Sequence, residues 1–208
     1  MYSKTSELLS LLQTLYPDVY CELNFNRDHP YQLLIATRLS AQCTDKRVNV
    51  VTPVLFAKYP DIKSLAEADL DDIEAIIRSC GLFRTKARDI KLLCIALLQL
   101  GDIPSEIDDL TKLPGVGRKT ANLVAGELFG KAAIVADTHV IRLSNRLGLV
   151  DTTDPTKVER GLRAIVPPDD GLFFSHRLVR HGRQVCTSRN PKCGDCALVS
   201  LCCNTERV

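Results

Sequence analysis

Lys119 has the setting of a nucleophile. It follows Arg118 in the first turn of a helix predicted to start after Gly117. The positive potential of a helix N-terminus and the neighbouring guanidinium both disfavour a charged ammonium, so we expect a lowered pKa for Lys119. A neutral amine can attack an electrophilic sugar carbon and form a Schiff base. A solvated lysine that binds phosphate is the other interpretation, and for Lys119 alone it is at least as well supported.

A carboxylate that could assist such chemistry is Asp137, in the run Val135-Ala136-Asp137-Thr138-His139. It could stabilise positive charge that develops on a sugar ring, or relay protons. The competing interpretation is an N-cap of the helix that begins near His139. The two roles are compatible with each other.

A glycine-rich turn leads into the helix of the lysine, with the sequence Leu113-Pro114-Gly115-Val116-Gly117-Arg118-Lys119-Thr120-Ala121. Pro114 stops the preceding helix, and the two glycines permit positive φ and leave the backbone bare. The next helix then begins with unpaired N–H groups at a positive terminus, which can hold a phosphate oxygen without any side chain. The pattern is typical of a helix-hairpin-helix, which clamps a DNA backbone. The alternative is a tight helix–helix turn with no ligand.

Four of the nine cysteines cluster near the end of the chain, with the spacing Cys186-x6-Cys193-x2-Cys196-x5-Cys202. We expect no disulfides in a chain without an export signal, so the cluster indicates a metal site. Four thiolates can hold a [4Fe-4S] cluster or a tetrahedral zinc. Zinc modules typically use two close pairs, whereas only one pair is close here, so the iron–sulfur cluster is favoured. Cys203 is a less favoured alternative to Cys202 as the fourth ligand.

The elements that must position these residues are helical in pattern. Glycines recur where helices should stop, and the turns are short, which predicts a compact all-α protein. The expected helices include one ended by Pro17, one started by Pro30, one after Thr44 or Asp45, and the stretches 69–80, 83–100, 118–129 and 139–147, with another opened by Asp154 and Pro155. Only residues 132–136 look strand-like, and they are too few to support a sheet.

Composition excludes a disordered chain, because 45% of residues are apolar and 25% charged, as in ordinary globular proteins. No apolar run could span a bilayer, and the first residues lack a signal-peptide core. We therefore expect no membrane partner and a cytoplasmic location, nucleoid-associated if the source is prokaryotic. The net charge of +2 says little, but residues 171–194 hold no acid and five basic residues, Arg177, Arg180, Arg183, Arg189 and Lys192. Such a surface suits a phosphate backbone.

Taken together, these features resemble the endonuclease III family of bifunctional DNA glycosylases, and the resemblance covers nearly the whole chain. Beyond the hairpin, Asp137-Thr138-His139 and the cysteine spacing, the matching stretches are Glu22-Leu23-Asn24-Phe25, Leu39-Ser40-Ala41-Gln42-x-Thr44-Asp45 and His181-Gly182-Arg183. Two departures stand out. Cys43 replaces an expected small residue, and Asn190 stands where relatives often have a basic residue in the cluster loop.

The resemblance implies two helical domains that flank a DNA-binding cleft. Residues 22–132 would form a continuous helical domain that contains the hairpin. Residues 133–208 would form the iron–sulfur cluster domain, completed by the N-terminal helix within 1–21. The resemblance also implies Lys119 as nucleophile, Asp137 as its acidic partner, and a [4Fe-4S] cluster on Cys186, Cys193, Cys196 and Cys202. The implied DNA-binding residues are Gln42, Leu82, Gly115, Val116, Gly117, Arg118, His139 and Arg183.

The implied activity is removal of oxidised pyrimidines from duplex DNA, followed by β-elimination 3′ to the abasic site through a lysine Schiff base. The partner would be double-stranded DNA with damaged pyrimidines or abasic sites, bound by a monomer. A glycosylase must extrude its target nucleotide, and Gln42 and Leu82 would fill the space left behind. Without the resemblance, a helix-end polar residue and a core leucine would be the better interpretations.

The sequence leaves three alternatives open. A monofunctional mismatch glycosylase of the same superfamily typically lacks a lysine at the position of Lys119. A DNA-binding or redox-sensing module without enzymatic activity would not need Lys119 and Asp137 together. Lys86, in a run from Gly81 to Ala87 that resembles the hairpin, is the candidate nucleophile if Lys119 is not.

Overall fold

The structure is a computed structural model that describes residues 2–203, with side chains from residue 4 onward. These residues form eleven α-helices and four short 3-10 turns, at 78–80, 168–170, 193–195 and 199–201. The helices are α1 (Tyr2–Leu15), α2 (Tyr31–Ser40), α3 (Asp45–Lys58), α4 (Ile62–Glu67), α5 (Leu70–Ile77), α6 (Phe83–Leu100), α7 (Ile107–Leu110), α8 (Arg118–Phe129), α9 (Thr138–Arg146), α10 (Pro155–Arg163) and α11 (Gly171–Gln184).

The predicted all-α class is confirmed. Residues 2–203 contain no strand, and the strand-like stretch 132–136 is an irregular connection. Side-chain caps start several helices where the sequence placed them: Thr44 accepts from the Arg47 N–H, and Asp154 accepts from the Lys157 N–H. None of the helices in the described part of the chain combines the length and apolarity that a membrane crossing needs.

The chain divides into two compact units. The first, here called the inserted unit, is Cys21–Phe129 and contains α2 to α8. Its central element is α2, which is buried on nearly all sides and packs against α3, α6 and α8. Helices α4 and α5 both pack on α6. The core is rich in aliphatic side chains with no exposure, among them Leu33, Leu34, Ile35, Leu55, Ile73 and Ile90.

The second unit, here called the terminal unit, is Met1–Tyr20 together with Gly130–Val208. Helix α11 packs against both α1 and α9, and α9 also contacts α10. Its own core includes Leu8, Leu12, Val140, Val158, Phe174 and Leu178, all without exposed surface. Because each unit buries a separate apolar cluster, each has the internal packing of a domain.

Candidate functional site

The predicted hairpin is present in the inserted unit as α7, a turn and α8. The turn is closed by hydrogen bonds from the Leu113 N–H to Leu110 (3.1 Å) and from the Val116 N–H to Leu113 (3.1 Å). Val116 anchors it with a side chain that is only 6% exposed. The Ala121 N–H donates to the Gly117 carbonyl at 2.9 Å, which begins the hydrogen-bond ladder of α8. The N–H groups of residues 118–120 precede that bond and are oriented for an anion.

The two hairpin glycines serve different purposes. Gly115 has φ of +73°, and a Cβ there would lie 2.9 Å from Asp89 Cβ and 3.0 Å from Arg38 Cδ. Gly117 does not adopt positive φ, so the expectation of conformational freedom applies only to Gly115. A Cβ at Gly117 would meet no atom within 4 Å, so its bareness leaves the backbone open to a close ligand.

The ion pair beneath Gly115 joins α2 to α6. Arg38 Nη2 lies 2.6 Å from Asp89 Oδ2, and both side chains are mostly buried. Arg38 Nε donates to the same oxygen at 2.7 Å. These two side chains, here called the floor of the hairpin, are therefore held in place by their ion pair and their burial.

Arg118 and Lys119 are both exposed at the start of α8. Arg118 Nη1 lies 2.8 Å from Asp108 Oδ1, which links α8 back to α7. For Lys119, no hydrogen bond or ion pair is found among the side chains of residues 4–203. Its amine therefore lies at the start of α8 without a carboxylate partner among those side chains.

Gln42 occupies a strained turn. Ala41 has φ −58° and ψ 113°, Gln42 has φ +54°, and the Cys43 N–H donates to Ser40 O at 3.1 Å. These values describe a type II β-turn, whose third position requires positive φ and favours glycine or asparagine. Gln42 is exposed, so an accessible glutamine side chain is presented at a position that local sequence preferences would give to another residue.

Leu82 is the second strained residue. It lies before α6 with φ +47° and ψ 30°, and its side chain is 55% exposed. The core-leucine interpretation is therefore wrong. Gln42 and Leu82 are the two non-glycine residues with positive φ in the described chain. Each costs of order 1–3 kcal/mol, and such strain clusters at functional sites. The resemblance named these same two residues from the sequence.

Lys86 is unsuited to be the alternative nucleophile. It has no exposed surface, and Nζ donates to Leu39 O at 2.8 Å and to Cys80 O at 2.9 Å. Burial lowers the pKa of Lys86, while the neighbouring Cys43 and Cys80 raise it. A lowered pKa alone does not make a nucleophile, because this amine has no surface that a substrate could reach.

Asp137 belongs to the terminal unit and is the N-cap of α9. Its Oδ1 accepts from the Val140 N–H at 2.8 Å, as the structural interpretation predicted. The side chain is partly exposed. Because a carboxylate has two oxygens, the cap leaves Oδ2 for another role. The two residues first singled out for chemistry thus belong to different units.

His139 lies one residue into α9, and its Nδ1 is 3.0 Å from Arg142 Nη2. A Cβ on Gly182 would lie 2.8 Å from that nitrogen, so the glycine of His181-Gly182-Arg183 lets α11 approach α9 closely. Arg183 is exposed on α11. Arg177 is only 7% exposed, and its Nε donates to Tyr16 O at 3.3 Å, so it does not contribute to the predicted basic surface.

The four clustered cysteines are unpaired and partly exposed. Burial raises the pKa of the Cys196 thiol, and charge on Cys186, Cys202 and Cys193 raises it further, so these sulfurs lie within electrostatic reach of Cys196. Across the described residues, no three or more His, Cys, Asp or Glu side chains are gathered as a single metal ion requires. As a donor set, four thiols suit an iron–sulfur cluster.

N–H donors face two of the sulfurs. Arg146 Nη1 donates to Cys186 Sγ at 3.2 Å, and His181 Nε2 lies 3.4 Å from Cys196 Sγ. His181 is buried, which lowers its pKa, and Tyr16 Oη lies 2.9 Å from its Nδ1. A neutral His181 that accepts from Tyr16 donates to the sulfur, an arrangement that stabilises a thiolate ligand.

Cys203 faces a different set of atoms from Cys202. Lys4 Nζ lies 3.2 Å from Cys203 Sγ, and that thiol donates to Leu147 O at 3.6 Å. Cys202 Sγ instead donates at 3.3 Å to the carbonyl of Arg146, the residue whose Nη1 donates to Cys186 Sγ. These contacts favour Cys202 over Cys203 as a member of the sulfur group.

The chain matches the HhH-GPD superfamily of base excision DNA repair proteins over residues 35–168. It is 48% identical to Endonuclease III of Synechocystis sp. over 202 residues, which is 96% of this chain and 91% of that protein. It is 37% identical to Endonuclease III of Escherichia coli K12 over 208 residues, 99% of this chain and 98% of that protein.

The chain belongs to the endonuclease III family. Among solved structures, it is similar to a trapped covalent Endonuclease III–DNA intermediate, with a TM-score of 0.92, 42% identity, and coverage of 98% of this chain and 96% of that one. A thermostable thymine-DNA glycosylase shares the fold at a TM-score of 0.86 and 24% identity.

For this endonuclease III family member, sequence reasoning missed the residues that support the site. The Arg38–Asp89 pair under Gly115 joins positions 51 residues apart, and the bond from Lys86 to Leu39 joins positions 47 residues apart. No local pattern indicates such partners. His181 was noted only as part of a matching stretch, whereas in the structure its Nε2 lies 3.4 Å from Cys196 Sγ.

Proposed function

We propose that the protein is a base-excision-repair DNA glycosylase with AP (apurinic/apyrimidinic) lyase activity. It removes oxidised pyrimidines from duplex DNA and cleaves 3′ to the abasic site. The observation that carries the proposal is the hairpin with an exposed lysine in the first turn of α8. The relatives named Endonuclease III include one solved as a trapped covalent intermediate with DNA, and a covalent step needs a nucleophile of this kind.

The hairpin holds the DNA backbone. The N–H groups of residues 118–120 donate to phosphate oxygens at the positive end of α8. The bare backbone at Gly117 admits the phosphate, and Arg118 adds positive charge beside it. These contacts recognise no base, so they position any sequence equally and leave lesion choice to other residues.

The chemical steps are carried by Lys119 and Asp137. The neutral amine of Lys119 attacks C1′, the bond from C1′ to the base breaks, and the base leaves with the electron pair and a proton. Asp137, through the oxygen not used as the helix cap, stabilises positive charge on the sugar. The C1′–O4′ bond of the sugar ring then breaks, O4′ takes a proton from the lysine nitrogen, and C1′ and that nitrogen form the imine. Loss of a proton from C2′ of this imine expels the 3′ phosphate with the electron pair of its bond to C3′, and water then hydrolyses the imine and frees Lys119.

Gln42 and Leu82 act on the duplex rather than on the sugar. Extrusion of a nucleotide breaks stacking and pairing at a cost of a few kcal/mol. Leu82 is an exposed apolar side chain that can fill the void, and Gln42 can hydrogen-bond the orphaned base. His139 and Arg183 are further DNA contacts, contributed by the terminal unit.

A [4Fe-4S] cluster completes the protein, with Cys186, Cys193, Cys196 and Cys202 as ligands. When bound, it cross-links the loop that carries Arg189 and Lys192, which gives that basic loop a fixed shape. The protein acts as a monomer on duplex DNA with damaged pyrimidines or abasic sites, in the cytoplasm or on a nucleoid. The proposed domains, residues 22–132 and residues 133–208 with 1–21, differ by one to three residues at their boundaries from the two compact units of the fold.

Borohydride trapping tests the central claim. Duplexes that contain thymine glycol or an abasic site are incubated with saturating enzyme and reductant, and the covalent adduct is resolved by electrophoresis. We expect an adduct with the wild type and with Lys157→Ala, because Lys157 is also an exposed lysine in the first turn of a helix. Lys119→Ala should give no adduct while it still binds an abasic analogue. An undiminished adduct with Lys119→Ala would rule out this nucleophile.

A further inference from the structure

Lys86 is a buried charge that the proposed chemistry does not use. Its side chain has no exposed surface, and no ion pair involves it among the described side chains. A methionine of similar length would fill the same space without the cost of burying an ammonium. The hydrogen bonds that the ammonium donates must therefore offset that cost, so the groups that accept them matter to the fold.

Those groups are the backbones of two strained turns. Nζ donates to Leu39 O, just before the turn that contains Gln42, and to Cys80 O, just before Gly81 and Leu82. The backbone N–H of Lys86 also donates to Leu82 O at 3.0 Å. One residue therefore fixes the entry to both positive-φ positions of the described chain that are not glycine.

We propose that Lys86 is a positioning residue for nucleotide flipping, which holds Gln42 and Leu82 in their strained conformations without touching DNA. The inference rests on the proposed roles of Gln42 and Leu82. A non-glycine residue keeps a left-handed backbone only where its surroundings over-determine it. Without the ammonium, the carbonyls of Leu39 and Cys80 lose their shared donor, and each turn can relax toward ordinary backbone angles. The two side chains would then leave the positions needed in the gap.

Lys86→Met is the direct test, with Lys91→Met as the matched control. Lys91 is on the same helix α6, is partly buried, and donates from Nζ to one backbone carbonyl, that of Ala68, at 2.7 Å. Its loss removes a comparable bond that leads to neither strained turn. Single-turnover base removal is measured on thymine glycol opposite adenine, and on the same lesion opposite an abasic analogue. Flipping is followed by fluorescence of 2-aminopurine beside the lesion.

We expect Lys86→Met to slow base removal opposite adenine about tenfold and to weaken the fluorescence change. The defect should shrink to about twofold or less opposite the abasic analogue, where no pair must be broken and no base is orphaned. Lys91→Met should match the wild type on both duplexes. An equal defect of Lys86→Met on both duplexes would overturn the proposal, because a merely destabilised fold does not distinguish them.

Variants of the wedge residues separate failure of this inference from failure of the proposed function. Leu82→Ala and Gln42→Ala should show the same duplex dependence. Lys86→Met added to the Gln42→Ala and Leu82→Ala double variant should slow base removal no further, because both residues that Lys86 positions are already truncated. If both alanine variants behave as wild type, the roles assigned to Gln42 and Leu82 are wrong. If they are defective while Lys86→Met behaves as Lys91→Met, only the role of Lys86 is wrong. If Lys86→Met does not fold, Lys86→Gln, which keeps one donor group, undergoes the same comparison with the same outcomes.

Discussion

Replacement of Gly115 by alanine should destabilise the inserted unit. The backbone there has φ of +73°, which costs an alanine about 1–2 kcal/mol. The new Cβ would lie 2.9 Å from Asp89 Cβ and 3.0 Å from Arg38 Cδ, and Asp89 Cβ is fixed by its helix. Displacement of Arg38 weakens a mostly buried charged hydrogen bond, a loss of about 1–2 kcal/mol. The sum is about 3 kcal/mol, or about 6–12 °C in melting temperature.

Gly117→Ala is the matched control. Its φ is not positive and its Cβ would meet nothing within 4 Å, so stability should change by less than about 0.5 kcal/mol. Its DNA affinity should nevertheless fall, since the methyl group occupies the face open to phosphate. Thermal unfolding by circular dichroism and binding to an abasic-analogue duplex measure the two effects. A Gly115→Ala melting temperature within about 2 °C of wild type would refute the steric reasoning.

Three further outcomes are expected. Asp137→Asn should change the free energy of unfolding by less than about 0.5 kcal/mol, because asparagine also caps helices, but it should remove bases slowly. If the variant fails to fold, Asp137 has only the capping role. Cys202→Ser should reduce the visible absorbance of purified protein whereas Cys203→Ser should not, and the reverse pattern would exchange their roles. Burial raises the pKa of Cys94 to about 12 in the folded protein, so as pH rises the thiol ionises first in the unfolded chain. The contribution of the neutral Cys94 thiol to the free energy of unfolding is therefore complete below about pH 8.5 and is lost as pH rises above it. When the free energy of unfolding is measured with urea, the difference between Cys94→Ala and wild type should shift by about 1 kcal/mol in favour of the variant between pH 9 and pH 10. Parallel plots of that free energy against pH would contradict this expectation.

Helices with local stop signals could be predicted closely from the sequence. The bounds of α6 and α8 agree with the predicted stretches because Gly101 and Gly130 adopt positive φ where each helix stops. Helix α11 was not predicted as an element. It starts at Gly171, and Asp170 before it makes no capping hydrogen bond, so its start depends on packing rather than on a local signal. The short α4 was not predicted either, although a capping box between Asp61 and Ser64 marks its start.

The same distinction applies to the site. The hairpin is a contiguous run, so its turn, its glycines and the exposure of Lys119 follow from local rules. The N-cap role of Asp137 was also within reach, because the residue precedes a helix by one position. The side chains that support the site could not be predicted in this way. Lys86 binds the carbonyl of Leu39, which is distant in the sequence, and no local pattern near either residue indicates that contact. The positive φ of Gln42 and Leu82 also opposes the conformational preferences of these residue types. Local sequence rules therefore predict ordinary backbone angles at both positions and miss the strain.

The first turns of α6 have a consequence for insertions and deletions. Lys86 and Asp89 lie three residues apart, so they project from one face, and through them α6 holds both strained turns and the floor of the hairpin. One residue inserted between Lys86 and Asp89 would rotate these two side chains by about 100° relative to each other. One inserted between Leu82 and Lys86 would rotate both of them by the same angle relative to the turn that contains Leu82. The same addition near Leu100 would leave all three attachments in register. Length variation among homologues should therefore be absent from the start of α6 and tolerated at its end.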